Sequence, residues 1–144
     1  MDTRNDIIGV IFPIFRRHFQ RLLDDEKTVF VKFVARAFRR LRSGSRLFFY
    51  ESRGNKEIVG EARVVDINSG TPDELLRKFG KNLILTRREL EEYTGDRRTK
   101  EMLVLVVRNA RKYAIPLRLN KSVSMAGLYM TKEMYRGMRT VRPG

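Results

Sequence analysis

Arg36, Arg39 and Arg40 stand three and four residues apart, so on a helical turn their guanidinium groups leave the same face. Lys32, Arg42 and Arg46 flank them, Phe33 and Phe38 are interleaved, and Ser43-Gly44-Ser45 adds flexible backbone donors. No acidic residue occurs between Lys27 and Tyr50, so this charge has no neutralising partner nearby in the chain. Like charges held close repel one another, and a polyanion relieves the repulsion. The chemistry expected of Lys32, Arg36, Arg39, Arg40, Arg42 and Arg46 is therefore phosphate contact, with Lys27 and Ser52 nearer a base pocket. The competing reading is a solvated helix whose acids arrive from elsewhere in the fold.

The whole chain repeats the imbalance. Its 144 residues include 31 Lys+Arg against 17 Asp+Glu, a formal net charge of +14, and 22 of the basic residues are Arg. Arginine forks onto phosphate and stacks on bases, so the bias favours nucleic acid over mere solubility. A thermophilic ion-pair surface would need acids in similar number. A second basic group, Arg87, Arg88, Arg97, Arg98 and Lys100, is diluted by Glu89, Glu91, Glu92, Asp96 and Glu101 and reads as a solvated face. The tail bases Arg136, Arg139 and Arg142 can add phosphate contacts without fixed geometry.

Much catalytic chemistry is excluded. Cysteine is absent, which removes disulfides, thiol nucleophiles and zinc–thiolate sites. His18 is the only histidine, too few for an imidazole metal centre, and it falls in an apolar-rich helical stretch as a plain surface or half-buried residue. Neither a metal nor a cofactor is expected. No apolar run approaches the roughly 18 residues of a membrane span. The N-terminus is polar and acidic rather than basic and then apolar, so the expected location is the cytoplasm.

The elements that must position these residues follow from periodicity. Strands are expected at Ile7–Phe12, Lys27–Val34, Arg46–Ser52, Glu57–Ile67, Glu101–Asn109 and Tyr113–Leu119, with Pro116 placing the last at an edge or bulge. Arg53-Gly54-Asn55-Lys56 suits a hairpin turn, and Gly60 suggests a bulge or barrel corner. Pro13 suits the first turn of a helix running to about Asp25, with Phe15, Phe19, Leu22 and Leu23 as its apolar stripe. Thr71-Pro72-Asp73-Glu74 opens a helix closed by Gly80, and Thr86-Arg87-Arg88-Glu89 is a capping box. A C-terminal extended segment from Gly127 passes into a helix capped by Thr131. Phe48, Phe49 and Tyr50 alternate faces; one face must be core, and burial of both is the expectation over an open stacking platform. These elements make one α+β domain over residues 1–144, a small mixed β-barrel with peripheral helices.

Taken in order, KTVFVK, GSRLFFYES, EIVGEARVVDI, NLILTRRELEEY and VSMAGLYMTKEMY resemble an archaeal family, domain of unknown function 365, from about Ile7 to Tyr135. That family is similar to the PUA-like superfamily, with its ASCH and EVE domains. The resemblance implies a PUA-like β-barrel that binds RNA or modified bases in a cleft beside the barrel. Some ASCH proteins hydrolyse an acylated cytidine, using the Lys and second Thr of a Lys-Thr-Ile-Thr-Ile-Arg-like strand and a downstream Glu. The matching stretch here is Lys27 to Lys32: Lys27 is kept, but Phe30 stands at the nucleophile position and Lys81 where the Glu is expected. A phenyl ring cannot attack a carbonyl, so no catalytic residue is assigned. Thr28 shares a face with Phe30 but sits one residue pair away.

The function expected is thus an RNA-binding module in RNA modification, processing or translation-related work. Its partners would be tRNA, rRNA or single-stranded segments, and a modified nucleobase is a further candidate. The alternatives are an enzyme on a modified nucleoside, using Lys27 and a carboxylate such as Glu51 or Glu61 as acid and base, and a reader of modified bases.

Overall fold

Apolar side chains on both faces make Arg46–Glu51 an interior strand, and the sheet is built outward from it. The computed structural model describes residues 6–24, 27–33, 38–51, 56–119, 123 and 127–140, with 139 and 140 described by backbone only. Its strands are β1 (Ile7–Ile14), β2 (Val29–Lys32), β3 (Arg46–Glu51), β4 (Glu57–Gly70), β5 (Met102–Arg118) and β6 (Leu128–Thr131). The helices are α1 (Arg16–Asp24), α2 (Pro72–Phe79), α3 (Arg87–Thr94) and α4 (Lys132–Thr140), with a 3₁₀ turn at Gly80–Asn82. One six-stranded sheet runs β2-β5-β4-β3-β1-β6, with β1 and β3 parallel and every other neighbouring pair antiparallel.

The expected barrel does not form. β2 and β6 are the two ends of the sheet and no ladder joins them among the described residues. The physical reason lies at the outer edge of β2. That strand has four residues, and its open edge is taken by the segment before α3 and by α3 itself. Ile84 N–H donates to the Val29 carbonyl at 3.0 Å, and Phe33 N–H donates to the Tyr93 hydroxyl at 3.0 Å. These contacts cover part of the edge and leave less of it open to another strand. The overall class is mixed α+β, as expected, with an open sheet.

Two further expectations change. Pro13 lies inside β1, paired with Tyr50, and the helix starts three residues later at Arg16. The expected strands Glu101–Asn109 and Tyr113–Leu119 are one 17-residue strand, β5, which pairs along its length with the 14-residue β4. Strands this long exceed the usual five or six residues, and they bend at three register shifts within the β4–β5 ladder.

Local capping follows the sequence closely. Thr71 and Thr86 each form a reciprocal box with the Glu three residues on. The Thr131 hydroxyl accepts from Met134 N–H at 3.1 Å. Alternation in β3 splits the core: Leu47 and Phe49 join Phe12, Phe19 and Phe30 on one face, while Phe48 and Tyr50 join Ile58, Met130 and Met138 under α4 on the other. Both faces of the Phe48-Phe49-Tyr50 run are therefore buried, and none of the three is a stacking platform. A third cluster, Val29, Val31, Leu75, Leu83, Leu90 and Met102, docks α2 and α3.

Candidate nucleic-acid interface and cleft

The last residues of β1 and β2, the start of α1 and the inner face of α3 enclose a cleft of about 290 Å³. That is the low end of small-molecule sites, roughly 300–1,000 Å³, room for a single ring system. Its walls are apolar and aromatic: Ile14, Phe15, Phe30, Ile84 and Tyr93. Phe15 is 42% exposed at the mouth, one of two large apolar side chains so exposed among the described residues. It meets the His18 ring edge-on at 5.6 Å and carries the Arg17 guanidinium at 5.3 Å.

Lys32 is the polar end of this cleft. It follows Phe30 by two positions on β2, so it shares the inward face, and it is only 8% exposed. Burial pulls its ammonium down from the usual 10.5 to about 8. The Tyr93 ring lies beside it, with Nζ 5.9 Å from the centroid. No described carboxylate lies within ion-pair distance of it.

The two acids lining the cleft are occupied elsewhere. Glu89 accepts both guanidinium nitrogens of Arg21, takes the Thr86 N–H at 2.8 Å, and has Arg17 and His18 at 3.4 Å. The hydrogen bonds from Arg21 are the main reason its carboxyl sits at about 2. Glu92 pairs with Arg88 at 3.4 Å. His18 is buried, and that burial lowers its pKa against the opposing pull of Glu89. Burial likewise raises the Tyr93 phenol. The cleft thus presents aromatic walls and one amine that no described carboxylate neutralises. It suits a planar ligand with an anionic or carbonyl edge.

The basic residues expected to act together are divided by the fold. Lys32 lies in the cleft. Lys27 lies outside it, with Nζ donating to the Lys81 carbonyl beside a separate depression. Arg39, Arg40 and Arg42 are exposed on the connection between β2 and β3, and no described carboxylate pairs with them. That connection is held by Arg40 N–H donating to the Tyr129 hydroxyl at 3.0 Å and Gly44 N–H donating to the Val64 carbonyl at 2.7 Å. Arg46 starts β3 on the face opposite Leu47 and Phe49; Glu61 lies 3.7 Å from it and Tyr135 stacks beneath it. Arg36 and Ser52 lie outside the described residues. Glu51 pairs with Arg16 at 2.7 Å, and neither Glu51 nor Glu61 lines the cleft. Among the second basic group, Arg87, Arg88 and Arg98 pair with Glu91, Glu92 and Asp73. Arg97 lies 4.1 Å over the Phe33 ring.

The sequence reading did not single out Phe15 and Tyr93 as site residues. The period-two spacing of Phe30 and Lys32 was a signal for the inward lysine, whereas nothing local brings Tyr93 beside it.

Comparison with known proteins agrees with this architecture. The chain is 26% identical over 100 residues to the uncharacterized protein MJECS03 of Methanocaldococcus jannaschii, covering 62% of this chain and 93% of that one. The crystal structure of ASCH from Zymomonas mobilis superposes with a TM-score of 0.75 at 15% identity, over 94% of this chain and 96% of the other. The N-terminal domain of Staphylothermus marinus McrB superposes with a TM-score of 0.56 at 14% identity, over 97% and 99%. At such identities the likeness is one of fold. The family model described as "Domain of unknown function (DUF365)" matches residues 7–132, and the chain belongs to that family.

Proposed function

We propose that this protein is an RNA-binding module, working as one unit over residues 1–144, that takes a nucleobase into the cleft and phosphates onto the exposed arginines beside β3. The observation that carries the reading is Lys32: a buried ammonium in an aromatic cleft with no described carboxylate partner. An unpaired buried charge is costly, and a ligand offering a carbonyl or anionic edge offsets the cost. The net charge of +14 and Arg39, Arg40 and Arg42, with which no described carboxylate pairs, supply the sequence-independent part of the affinity. The ASCH-like fold supports the same reading. A cytoplasmic location is part of this reading; no helix among the described residues is long and apolar enough to cross a membrane.

The test is a salt titration against tRNA, single-stranded RNA and duplex DNA. Binding to RNA should weaken steeply with salt, and Arg39→Gln with Arg40→Gln and Arg42→Gln should flatten the slope by about 2, three contacts at roughly 0.7 each. A protein that binds none of the three polymers at low salt would end the proposal.

A second reading, hydrolysis of an acylated nucleoside, draws on the lowered Lys32 pKa. With a pKa of about 8, on the order of a tenth of the amine is free base at pH 7. Phe30 forms the cleft wall where the ASCH resemblance expects a nucleophile, so the base would have to activate water. Release of the acyl group from an acylated cytidine, lost in Lys32→Met, would favour this reading over binding alone.

A further inference from the structure

Three arginines lie abreast on adjacent strands. Arg46 of β3 is the register partner of Arg63 on β4, and Arg63 is the partner of Arg108 on β5. Directly opposed residues share a face, so the three project from one side of the sheet at strand spacing, about 4.8 Å between backbones. A bulge adds a fourth. Between Arg63 and Glu61 the β4 chain moves two residues, while β5 moves three from Arg108 to Arg111, with Asn109 at φ +58° between them. In a regular strand Arg108 and Arg111 would point to opposite faces; the extra residue turns both to the side of Arg46 and Arg63.

The row is poorly neutralised. Like charges directly opposite one another destabilise a sheet, and two such pairs stand here in line. Glu61, 6% exposed, reaches Arg46 at 3.7 Å and Arg111 at 3.1 Å. No described carboxylate pairs with Arg63 or Arg108, both exposed. Arg63 donates one N–H to the Gly44 carbonyl at 2.8 Å, which joins the row to the turn carrying Arg42.

We propose that Arg46, Arg63, Arg108 and Arg111 form a track for the phosphodiester backbone of RNA, on the face of β3 opposite the cleft. The inference rests on the RNA-binding reading and adds a second surface to it. Guanidinium forks match phosphate geometry bidentately, and strands hold their spacing in advance, so little ordering is needed on binding. A bilayer surface fits less well: the two large exposed apolar side chains among the described residues, Phe15 and Ile115, are not in the row.

The experiment titrates a labelled single-stranded RNA with the full chain and with R63Q/R108Q over a salt series. The double variant should bind about tenfold more weakly, and the plot of log K against log salt should flatten by about 1.4, two contacts at roughly 0.7 each. R108Q alone, which removes none of the side-chain hydrogen bonds described, should flatten it by about half that, so the outcome does not depend on the double variant folding. If the parent binds RNA and neither variant changes the slope, the track is wrong and the RNA-binding reading survives. If the parent binds no RNA, that reading fails and takes the track with it. If the variants instead lose binding to phosphatidylserine vesicles while RNA binding is untouched, the row is a membrane surface and the proposal is overturned.

Discussion

Replacing Lys32 by Met keeps the length of the side chain and removes the buried charge. In the folded protein the ammonium has a pKa of about 8 against 10.5 when exposed. At 1.36 kcal/mol per unit, the folded state is destabilised by about 3 kcal/mol whenever the amine is charged. The sign follows from proton counting. Between pH 8 and 10.5 the unfolded chain binds more protons than the folded one, so the parent gains stability from this group as pH rises. Below about pH 8 the whole penalty is present, and above about 10.5 it has vanished. Lys32→Met should therefore be more stable than the parent by about 3 kcal/mol at pH 7, with the difference closing across that window. Urea denaturation followed by circular dichroism at several pH values measures it, and the difference between the two proteins cancels every other titrating group. The same variant should bind RNA more weakly. A Met variant of equal or lower stability at pH 7, with no pH dependence in the difference, would show that Lys32 is neutralised by a group the described residues do not include. The cleft reading would then lose its support.

Glu89→Gln should weaken the attachment of α3 to α1, because one carboxylate serves Arg21, Arg17, His18 and the Thr86 cap. The folded pKa of about 2 lies below the usual 4.5, so the stabilisation is present above pH 4.5 and disappears as pH falls towards 2. Melting curves of parent and variant should accordingly converge in acid; a gap that persists at pH 2 would contradict the ion-pair account. At Gly9, a Cβ would stand 2.0 Å from the Arg46 carbonyl oxygen across the β1–β3 ladder. Backbone on both sides cannot move aside, so Gly9→Ala should cost about 3 kcal/mol and lower Tm by roughly 6–12 °C. Gly137→Ala is the control: a Cβ there meets nothing within 4 Å in the middle of α4, and it should raise stability by about 0.5–1 kcal/mol.

How much of this was legible in the chain depends on the range of the interaction. Capping is decided within four residues, and so Thr71, Thr86 and Thr131 could be read as helix starts from their own neighbours. Strand alternation is equally local: it told that Phe48 and Phe49 face opposite ways and that Thr28 shares a face with Phe30. Pro13 misled because its fixed φ suits a strand as well as a helix's first turn, and pairing with Tyr50 decided the matter.

The amino-acid sequence by itself determined the mixed α+β class, the order of the elements and the excess of arginine, since composition and short-range pattern carry all three. Only the tertiary structure decided that the sheet stays open, that Tyr93 reaches Phe33 to line the cleft beside Lys32, that Glu61 sits against Arg46, and that a bulge at Asn109 turns Arg108 and Arg111 to one face. The first three bring together residues that are 15 to 60 positions apart or more. The bulge depends on how β5 is matched to β4. Such pairings are chosen by the packing of whole strands against one another, which no local pattern encodes.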